Sequence, residues 1–176
     1  MIRRYDLLLE PEPSAFDPEY EEFLNSLKTA LFFEAWVNEY DEDYLMETYD
    51  IRPGEIHAKL EKADWLLYAA DELVKIKSQG GASKEINRLR LRLQEGVKEE
   101  LLPLLKLKGI GRVRGRRLFN EGVKDLGDVK KIDITTLSQI LGKAVAEDVK
   151  KQVGEEIKEV PAGKRTGQLS MEKFRK

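Results

Sequence analysis

The 176-residue sequence contains no cysteine, a single histidine and no long run of apolar residues. Without cysteine, the chain has no disulfide, no thiol nucleophile and no thiolate metal site. Because His57 is the one histidine, a His-rich metal site is excluded, and so is Ser-His-Asp chemistry anywhere else in the chain. The sequence shows neither an apolar run of about eighteen residues nor a signal peptide, so we expect an intracellular protein with no membrane partner.

The formal net charge of −2 conceals a strong asymmetry along the chain. Residues 1–100 have a net charge of −10, whereas residues 101–176 have a net charge of +8. Twelve of the fourteen aromatic residues lie between Tyr5 and Tyr68. We therefore expect an acidic N-terminal part with an aromatic core and a basic C-terminal part, and the two parts should face different partners.

Helical periodicity dominates the sequence, and almost nothing in it is typical of a strand. The apolar pattern predicts an all-α fold, a bundle with a long central helix followed by a smaller helical unit. The predicted helices span 20–38, 43–49, 55–77, 84–95, a segment through 101–105 ending at Gly109, 112–122, 134–141 and 143–157. The first dozen residues are predicted to be extended, and the tail from Glu159 is predicted to be disordered.

Capping residues and glycine-rich segments locate several predicted helix ends. Asp17 followed by Pro18 predicts the start of the first helix, since aspartate caps well and proline suits the first helical position. Residues 52–54 (Arg-Pro-Gly) should break the chain before the long helix. Residues 79–83 are predicted to form a loop, with Ser83 as the cap of the next helix. Residues 30–37 are apolar nearly all round, which predicts a buried helix with Trp36 in the core.

The long predicted helix presents one tryptophan away from its core face. At 100° per residue, six apolar positions share a sector of about 80°; these are Ile56, Leu60, Ala63, Leu67, Ala70 and Val74. Trp65 lies about 180° from that sector, and Ala58 and Ala69 leave room above its ring. An exposed indole of this kind could stack on a nucleic-acid base, with Lys59 and Lys62 alongside. The alternative is a second layer of helices that makes Trp65 part of the core.

Residues 104–119 (LLKLKGIGRVRGRRLF) carry the most specific motif and resemble a helix-hairpin-helix DNA-binding motif. Gly109 and Gly111 would permit a tight turn and let the backbone approach a phosphate. Ile110 would fill the core, and the amides around Arg112 would form an anion site at a helix N-terminus. Basic side chains would add affinity independent of base sequence; they are Lys106, Lys108, Arg112, Arg114, Arg116 and Arg117. The alternative is a structural hairpin with a solvated basic face.

Three further features are weaker. Residues 140–146 (ILGKAVA) are predicted to form a mainly structural second hairpin, with at most a modest phosphate role for Lys143. His57 is expected to be a surface or capping residue. The acidic residues Glu39, Asp41, Glu42 and Asp43 lack calcium-loop spacing, so we expect a solvated capping loop and no metal site.

Residues 168–174 (QLSMEKF) match a sliding-clamp-binding pattern. Gln168, Met171 and Phe174 have the spacing that places two apolar side chains on one side of a short 3₁₀ turn, where they could fill an apolar pocket. Arg175 stands where the stronger motif has a second aromatic residue. The alternative is a chance match in an unstructured tail.

The chain as a whole resembles the C-terminal region of an archaeal Ski2-type superfamily 2 DNA helicase of the Holliday-junction-migration family. Five segments carry the resemblance: residues 27–31 (LKTAL), 36–39 (WVNE), 49–56 (YDIRPGEI), 63–69 (ADWLLYA) and 99–102 (EELL), which leads into the hairpin. The resemblance implies a ratchet-like helical bundle over residues 1–96 and a helix-hairpin-helix DNA-binding domain over 97–157. A flexible tail with the clamp motif would follow over 158–176.

The resemblance also implies a function. The chain would be the DNA-binding module of an ATP-dependent 3′–5′ helicase that acts on forked or branched DNA in replication-coupled repair and recombination. It would bind single-stranded DNA, with Trp65 on the ratchet helix stacking on bases. The family has a basic residue about two turns before this tryptophan, but here Ala58 occupies that place, and His57 or Lys59 are substitutes at best.

No phosphate-loop motif and no convergent catalytic site occur in the sequence, so no catalytic residue and no cofactor is expected in this chain. ATP and Mg²⁺ are implied only for helicase motor domains outside it. We expect a monomer in the cytoplasm, associated with the nucleoid. The alternative reading is a non-catalytic scaffold that recruits a sliding clamp or repair partners.

Overall fold

The computed structural model of the protein describes residues 11–77 and 80–154. These residues contain eight α-helices and no strand, which confirms the predicted all-α fold. The chain divides into two compact units, Met1–Leu102 and Pro103–Lys176. The sequence places this boundary near Gly96.

The described residues of the N-terminal unit form four α-helices. They are α1 (Tyr20–Val37), α2 (Glu42–Tyr49), α3 (Pro53–Ile76) and α4 (Gly80–Glu95), followed by a 3₁₀ turn at Glu99–Leu101. Asp41 caps α2 by accepting a hydrogen bond from the Tyr44 amide at 2.8 Å. Pro53 begins α3, and the Glu55 carboxylate accepts a 2.7 Å bond from the Arg52 amide just before it, so local sequence accounts for both helix starts.

An aromatic cluster forms the core of this unit. Its buried members come from all four helices and are Phe32, Ala35, Trp36, Val37, Leu45, Ile56 and Leu93. The Trp36 indole N–H donates a 2.7 Å hydrogen bond to the Leu93 carbonyl, and this bond joins α1 to α4. Leu60, Ala63 and Leu67 pack against the cluster, as the periodicity of α3 predicts. Trp36 therefore belongs to the core, as expected.

Helices α3 and α4 form an antiparallel pair with polar side chains between them. Arg90 of α4 donates a hydrogen bond to Asp64 of α3. About two turns further along α3, Asp71 accepts a hydrogen bond from Ser83 near the start of α4. Asp71 is only 2% exposed. The pairing of the two helices is therefore specified by hydrogen bonds as well as by apolar contact.

Up to residue 154, the C-terminal unit consists of four short helices and one 3₁₀ turn. The turn spans Leu104–Lys106, and the helices are α5 (Arg112–Asn120), α6 (Leu126–Lys131), α7 (Ile134–Leu141) and α8 (Lys143–Gln152). Asp125 caps α6 and Asp133 caps α7 through their carboxylates. Leu104, Leu118 and Leu137 are fully buried.

Two expectations about α1 are wrong. The Asp17 carboxylate accepts a 2.8 Å bond from the Ser14 amide, so it closes the preceding turn, and α1 begins only at Tyr20 without a side-chain cap. The stretch 30–37 is not buried all round either, because Ala30 and Leu31 are exposed. One side of α1 faces the core and the other faces solvent.

Helix α4 begins earlier than the sequence indicates. Gly80 is already helical, and Ser83 lies inside the helix, where its hydroxyl donates to the Asp71 carboxylate. The predicted loop is therefore wrong over 80–83, and so is the predicted cap at Ser83, whereas residue 79 lies outside the described residues. The serine serves the contact with α3 rather than the helix end, which is a tertiary role that local capping rules do not reveal.

The segment before the basic motif is not the predicted continuous helix. Two separate 3₁₀ turns, Glu99–Leu101 and Leu104–Lys106, stand in its place, with Pro103 between them. Proline lacks the N–H that an α-helix would need there. Helix α6 was not predicted, and α8 ends at Gln152 rather than Ile157. The expectations for the first ten residues and for the tail lie outside the described residues.

Candidate nucleic-acid interface

A tight turn at Gly109 presents the basic motif. Gly109 has φ = +82°, a left-handed conformation that favours glycine. Ile110, which follows it, is 4% exposed and lies in the core as predicted. The Gln152 side-chain amide exchanges two hydrogen bonds with the Lys108 backbone, at 2.8 and 3.1 Å. The turn is thus held from one side by Ile110 and from the other by α8.

Gly111 leaves the start of α5 sterically open. It is the N-cap residue of α5, with an extended backbone at φ = −104°. A β-carbon added at Gly109 or at Gly111 would meet no described atom within 4 Å. The N–H groups of a first helical turn have no intrahelical acceptor, and the helix dipole favours an anion beside them. A phosphate could therefore approach the backbone here.

The basic side chains of this motif differ in their surroundings. Lys108, Arg114 and Arg117 are exposed, whereas Arg112 and Arg116 are half-buried. The Arg114 guanidinium donates a 2.8 Å bond to the Gly109 carbonyl, so it also braces the turn. These five cations are brought together on and beside α5, as the sequence predicts.

Phe119 provides an aromatic surface for two of the cations in this unit. The Arg116 guanidinium lies 5.1 Å from the centre of the ring, and the Lys124 ammonium lies 5.6 Å from it. Both distances suit a cation–π interaction. Arg116 is therefore partly engaged within the protein, which makes Lys108 and Arg117 the simplest cations to assign to an external partner.

Trp65 lies on the solvent side of α3. Its side chain is 63% exposed, and within residues 11–77 and 80–154 no second helical layer covers it. The small residues on either side of the indole along the helix are Ala58, which is exposed, and Ala69, which is half-buried. The wheel geometry of α3 thus correctly places the indole opposite the core face, with small neighbours.

The two lysines predicted beside Trp65 are not equivalent. Lys62 is exposed. Lys59 is half-buried, and its ammonium lies 3.4 Å from the Thr29 hydroxyl of α1. It lines a polar cavity of about 250 Å³ together with Lys28 and Glu55. Lys59 therefore points towards α1, and of the two only Lys62 stays free to accompany the indole. His57 is exposed, as expected.

Next to Trp65 on α3 lies Tyr68, and its ring contacts Arg90 of α4; the sequence analysis assigned neither residue to the site. Arg90 of α4 binds the Asp64 carboxylate through two nitrogens, at 2.6 and 3.0 Å, and Gln94 adds a third bond at 2.7 Å. The hydrogen bond from Arg90 lowers the pKa of Asp64. The same guanidinium lies 5.2 Å from the centre of the Tyr68 ring. Tyr68 comes three residues after Trp65, and this spacing alone would have indicated that the two rings are neighbours on the helix surface.

Asp71 is the most buried charged group of the N-terminal unit's α3–α4 pair. Lys75 lies 2.8 Å from its carboxylate, and Ser83 donates to it from α4. These bonds, led by that from Lys75, lower the pKa of Asp71 to about 2 despite its burial. The carboxylate is therefore ionised at neutral pH and holds the two helices together.

The remaining candidates have structural roles. Asp41 caps α2, and the Glu39 carboxylate accepts a 2.9 Å bond from the Lys98 amide. The described part of the chain contains no group of three or more side chains suited to hold a metal ion. Gly142 has φ = +86° between α7 and α8, and the Lys143 ammonium lies 3.9 Å from the Glu147 carboxylate.

The clamp-binding prediction falls in the tail. Gln168, Met171 and Phe174 lie outside the described residues, so this site stays a prediction. Among the helices that are described, none is both long and apolar enough to cross a membrane.

Comparison with known proteins identifies relatives of this chain. Residues 1–96 match the family model described as archaeal helicase, domain 4. The chain is 38% identical over 152 residues to the ATP-dependent DNA helicase Hel308 of Pyrococcus abyssi, which covers 81% of this chain and 21% of that protein. It is 35% identical over 149 residues to Hel308 of Pyrococcus horikoshii, with the same coverage of 81% and 21%.

A third relative is the Hel308 helicase of Thermococcus kodakarensis. It is 38% identical over 160 residues, which is 87% of this chain and 14% of that protein. The chain thus spans between 14% and 21% of the length of these three relatives.

Proposed function

This chain belongs to the archaeal Hel308-type DNA helicase family and corresponds to part of the C-terminal region of these helicases. From that premise we propose that it binds DNA within the helicase. In this proposal the basic turn of the C-terminal unit binds phosphates, through Lys108, Arg112, Arg114, Arg116, Arg117 and the backbone from Gly109 to Gly111. Trp65 of α3, with Lys62 beside it, stacks on bases of a single strand. The helicase would act in the 3′–5′ direction on forked or branched DNA, in replication-coupled repair and recombination.

One observation carries the proposal: an open helix N-terminus lies within a cluster of cations. The backbone at Gly111 is accessible, since a β-carbon there would meet none of the described atoms within 4 Å. Exposed Lys108 precedes it by three residues, and exposed Arg117 lies in the last turn of the same helix. A helix N-terminus whose first N–H groups have no intrahelical acceptor, with cations nearby, is suited to bind a phosphate without reading the base sequence.

The exposed indole supplies a different kind of contact. Stacking of a base on an aromatic ring contributes about 1–3 kcal/mol and tolerates any base sequence. Phosphate contacts, by contrast, weaken steeply with salt. A chain that uses both would hold a single strand without sequence preference, as a helicase requires. We place ATP and Mg²⁺ binding in motor domains outside this chain.

The test is a titration of a dye-labelled single-stranded oligonucleotide, followed by fluorescence anisotropy at several salt concentrations. For the unmodified chain, the logarithm of the binding constant should fall linearly with the logarithm of salt, by about 0.7 for each phosphate contact. Arg117→Gln should weaken binding and reduce that slope by about 0.7. Arg117 is preferred to Arg114, because Arg114 also braces the turn.

Lys131→Gln serves as the matched control. Lys131 is an exposed cation of α6 in the same unit, outside the proposed interface. It should leave both the affinity and the slope close to those of the unmodified chain. If the double variant Lys108→Gln with Arg117→Gln binds the oligonucleotide with unchanged affinity and slope, the basic turn is not a phosphate site and the proposal is wrong.

A further inference from the structure

Tyr68 is a second exposed aromatic side chain on the face of α3 that carries Trp65. The ring is 48% exposed. Residues three apart on a helix are surface neighbours, with β-carbons about 5–6 Å apart. Neighbouring nucleotides of a single strand can span such a distance when their bases are partly unstacked. Trp65 and Tyr68 are therefore placed to meet consecutive bases.

Arg90 organises this ring from behind. Its guanidinium lies 5.2 Å from the Tyr68 ring centre, within cation–π range. The guanidinium is itself held by two hydrogen bonds to Asp64, at 2.6 and 3.0 Å. A planar cation fixed in this way covers one side of the ring and restricts its movement, so less ordering is needed when a base stacks on the ring.

The same ion pair changes the charge beside Trp65. Asp64 immediately precedes the tryptophan, and an isolated carboxylate there would repel the phosphates of a bound strand. Arg90 neutralises it, and Gln94 adds a further hydrogen bond to the same carboxylate. The polar contacts between α3 and α4 thus neutralise the acidic side chain that directly precedes Trp65 in the sequence.

We propose that Tyr68, backed by Arg90 and Asp64, is a second base-stacking position next to Trp65. This inference rests on the proposed function and adds a subsite to it. It is independent of the basic turn, which lies in the other unit. The subsite also provides a second base contact on α3 in a chain where Ala58 supplies none.

The test compares two substitutions of the tyrosine in oligonucleotide titrations by fluorescence anisotropy. Tyr68→Phe keeps the ring and should bind single-stranded DNA like the unmodified chain. Tyr68→Leu removes the ring and should weaken binding by about 5- to 150-fold, the loss of one stacked base. The salt slope should stay unchanged, since no phosphate contact is removed. A purely structural role for Tyr68 would lower thermal stability without this selective loss.

Tyr44→Leu is the matched control, because Tyr44 is a 42% exposed tyrosine on α2 of the same unit. It should not change the affinity. Tyr68→Leu binding as tightly as the unmodified chain would overturn the subsite. So would an equal loss in Tyr68→Phe, since that would assign the effect to the hydroxyl.

Photo-crosslinking of the unmodified chain avoids any dependence on how the variants fold. An oligonucleotide that contains 5-iodouracil should crosslink to both Trp65 and Tyr68, as identified by mass spectrometry of the digested complex. Crosslinks to Trp65 without Tyr68 would overturn the subsite while leaving the proposed function intact. A chain that bound no oligonucleotide at all would overturn the proposed function, and the subsite with it.

Discussion

Gly111→Ala separates the stability of the basic turn from the phosphate binding proposed for it. Gly111 has an extended backbone at φ = −104°, which alanine adopts without strain. The added β-carbon would meet no described atom within 4 Å. Replacing glycine by alanine stabilises the fold by about 0.4–1 kcal/mol, because the unfolded chain has less conformational entropy to lose. Alanine is a poorer N-cap than glycine, however, and this costs about as much. We expect the free energy of unfolding to change by less than about 0.5 kcal/mol.

The effect on binding should be much larger. A methyl group at this position would stand where we propose that a phosphate approaches the first amides of α5. Hydrogen bonds to a charged group contribute about 1.5–3 kcal/mol, so loss of one weakens binding by roughly 10- to 150-fold. The affinity for a labelled single-stranded oligonucleotide is measured by anisotropy, and the free energy of unfolding by urea titration with circular dichroism.

Gly109→Ala provides the comparison. Gly109 has φ = +82°, so alanine there is strained by about 1–2 kcal/mol, and urea unfolding should show a loss of about that size. Unchanged oligonucleotide affinity in Gly111→Ala would refute the assignment of a phosphate to these amides. A loss of stability in Gly111→Ala as large as that in Gly109→Ala would refute the conformational argument.

The other predictions concern the N-terminal unit. Trp36→Phe removes the donor to the Leu93 carbonyl, a 2.7 Å bond, and should lower the free energy of unfolding by about 1–3 kcal/mol in urea titrations. Gly96→Ala should lower the free energy of unfolding by about 2 kcal/mol or more, because φ is +62° and the new β-carbon would lie 2.8 Å from the Trp36 ring. Unfolding of this variant at the same urea concentration as the unmodified chain would contradict the prediction. The Asp71 carboxyl has its pKa lowered from 3.8 to about 2, so its ionised form stabilises the fold at neutral pH. That stabilisation should fall away as the pH drops from about 4 to about 2, and thermal unfolding of Asp71→Asn should depend less on pH across this window.

Local sequence predicted several helices with good accuracy because their ends are specified by neighbouring residues. Helix α7 spans Ile134–Leu141 as predicted, since Asp133 caps its start and Gly142 follows its end. Helix α3 begins at Pro53, before the predicted start at 55, because Pro53 and Gly54, which were predicted to break the chain, already belong to its first turn. Predictions from local sequence failed where a side chain bonds to a residue of another helix. Ser83 looks like a helix cap, but its hydroxyl bonds to Asp71 on another helix.

The candidate site shows the same division. The position of Trp65 opposite the core face follows from helical periodicity, and the burial of Ile110 follows from the glycines around the turn. Whether other helices cover the indole does not follow from the sequence. The partners of the charged residues do not follow from it either. Arg114 is exposed like Arg117, but it also donates a hydrogen bond to the Gly109 carbonyl. Lys59 could have flanked the indole, but it turns towards Thr29.

The sequence by itself therefore determined the all-α fold, the position of Trp65 opposite the core face of α3, the basic turn, and the resemblance of the chain to an archaeal helicase. These depend on periodicity and on residue types within a few positions of one another. The exposure of the indole was decided by the tertiary structure. Only the tertiary structure decided that Arg90 lies behind Tyr68 and pairs with Asp64, a contact between residues 26 positions apart. Periodicity fixes which face of α3 looks towards α4, but the packing register of the two helices selects which side chains meet there.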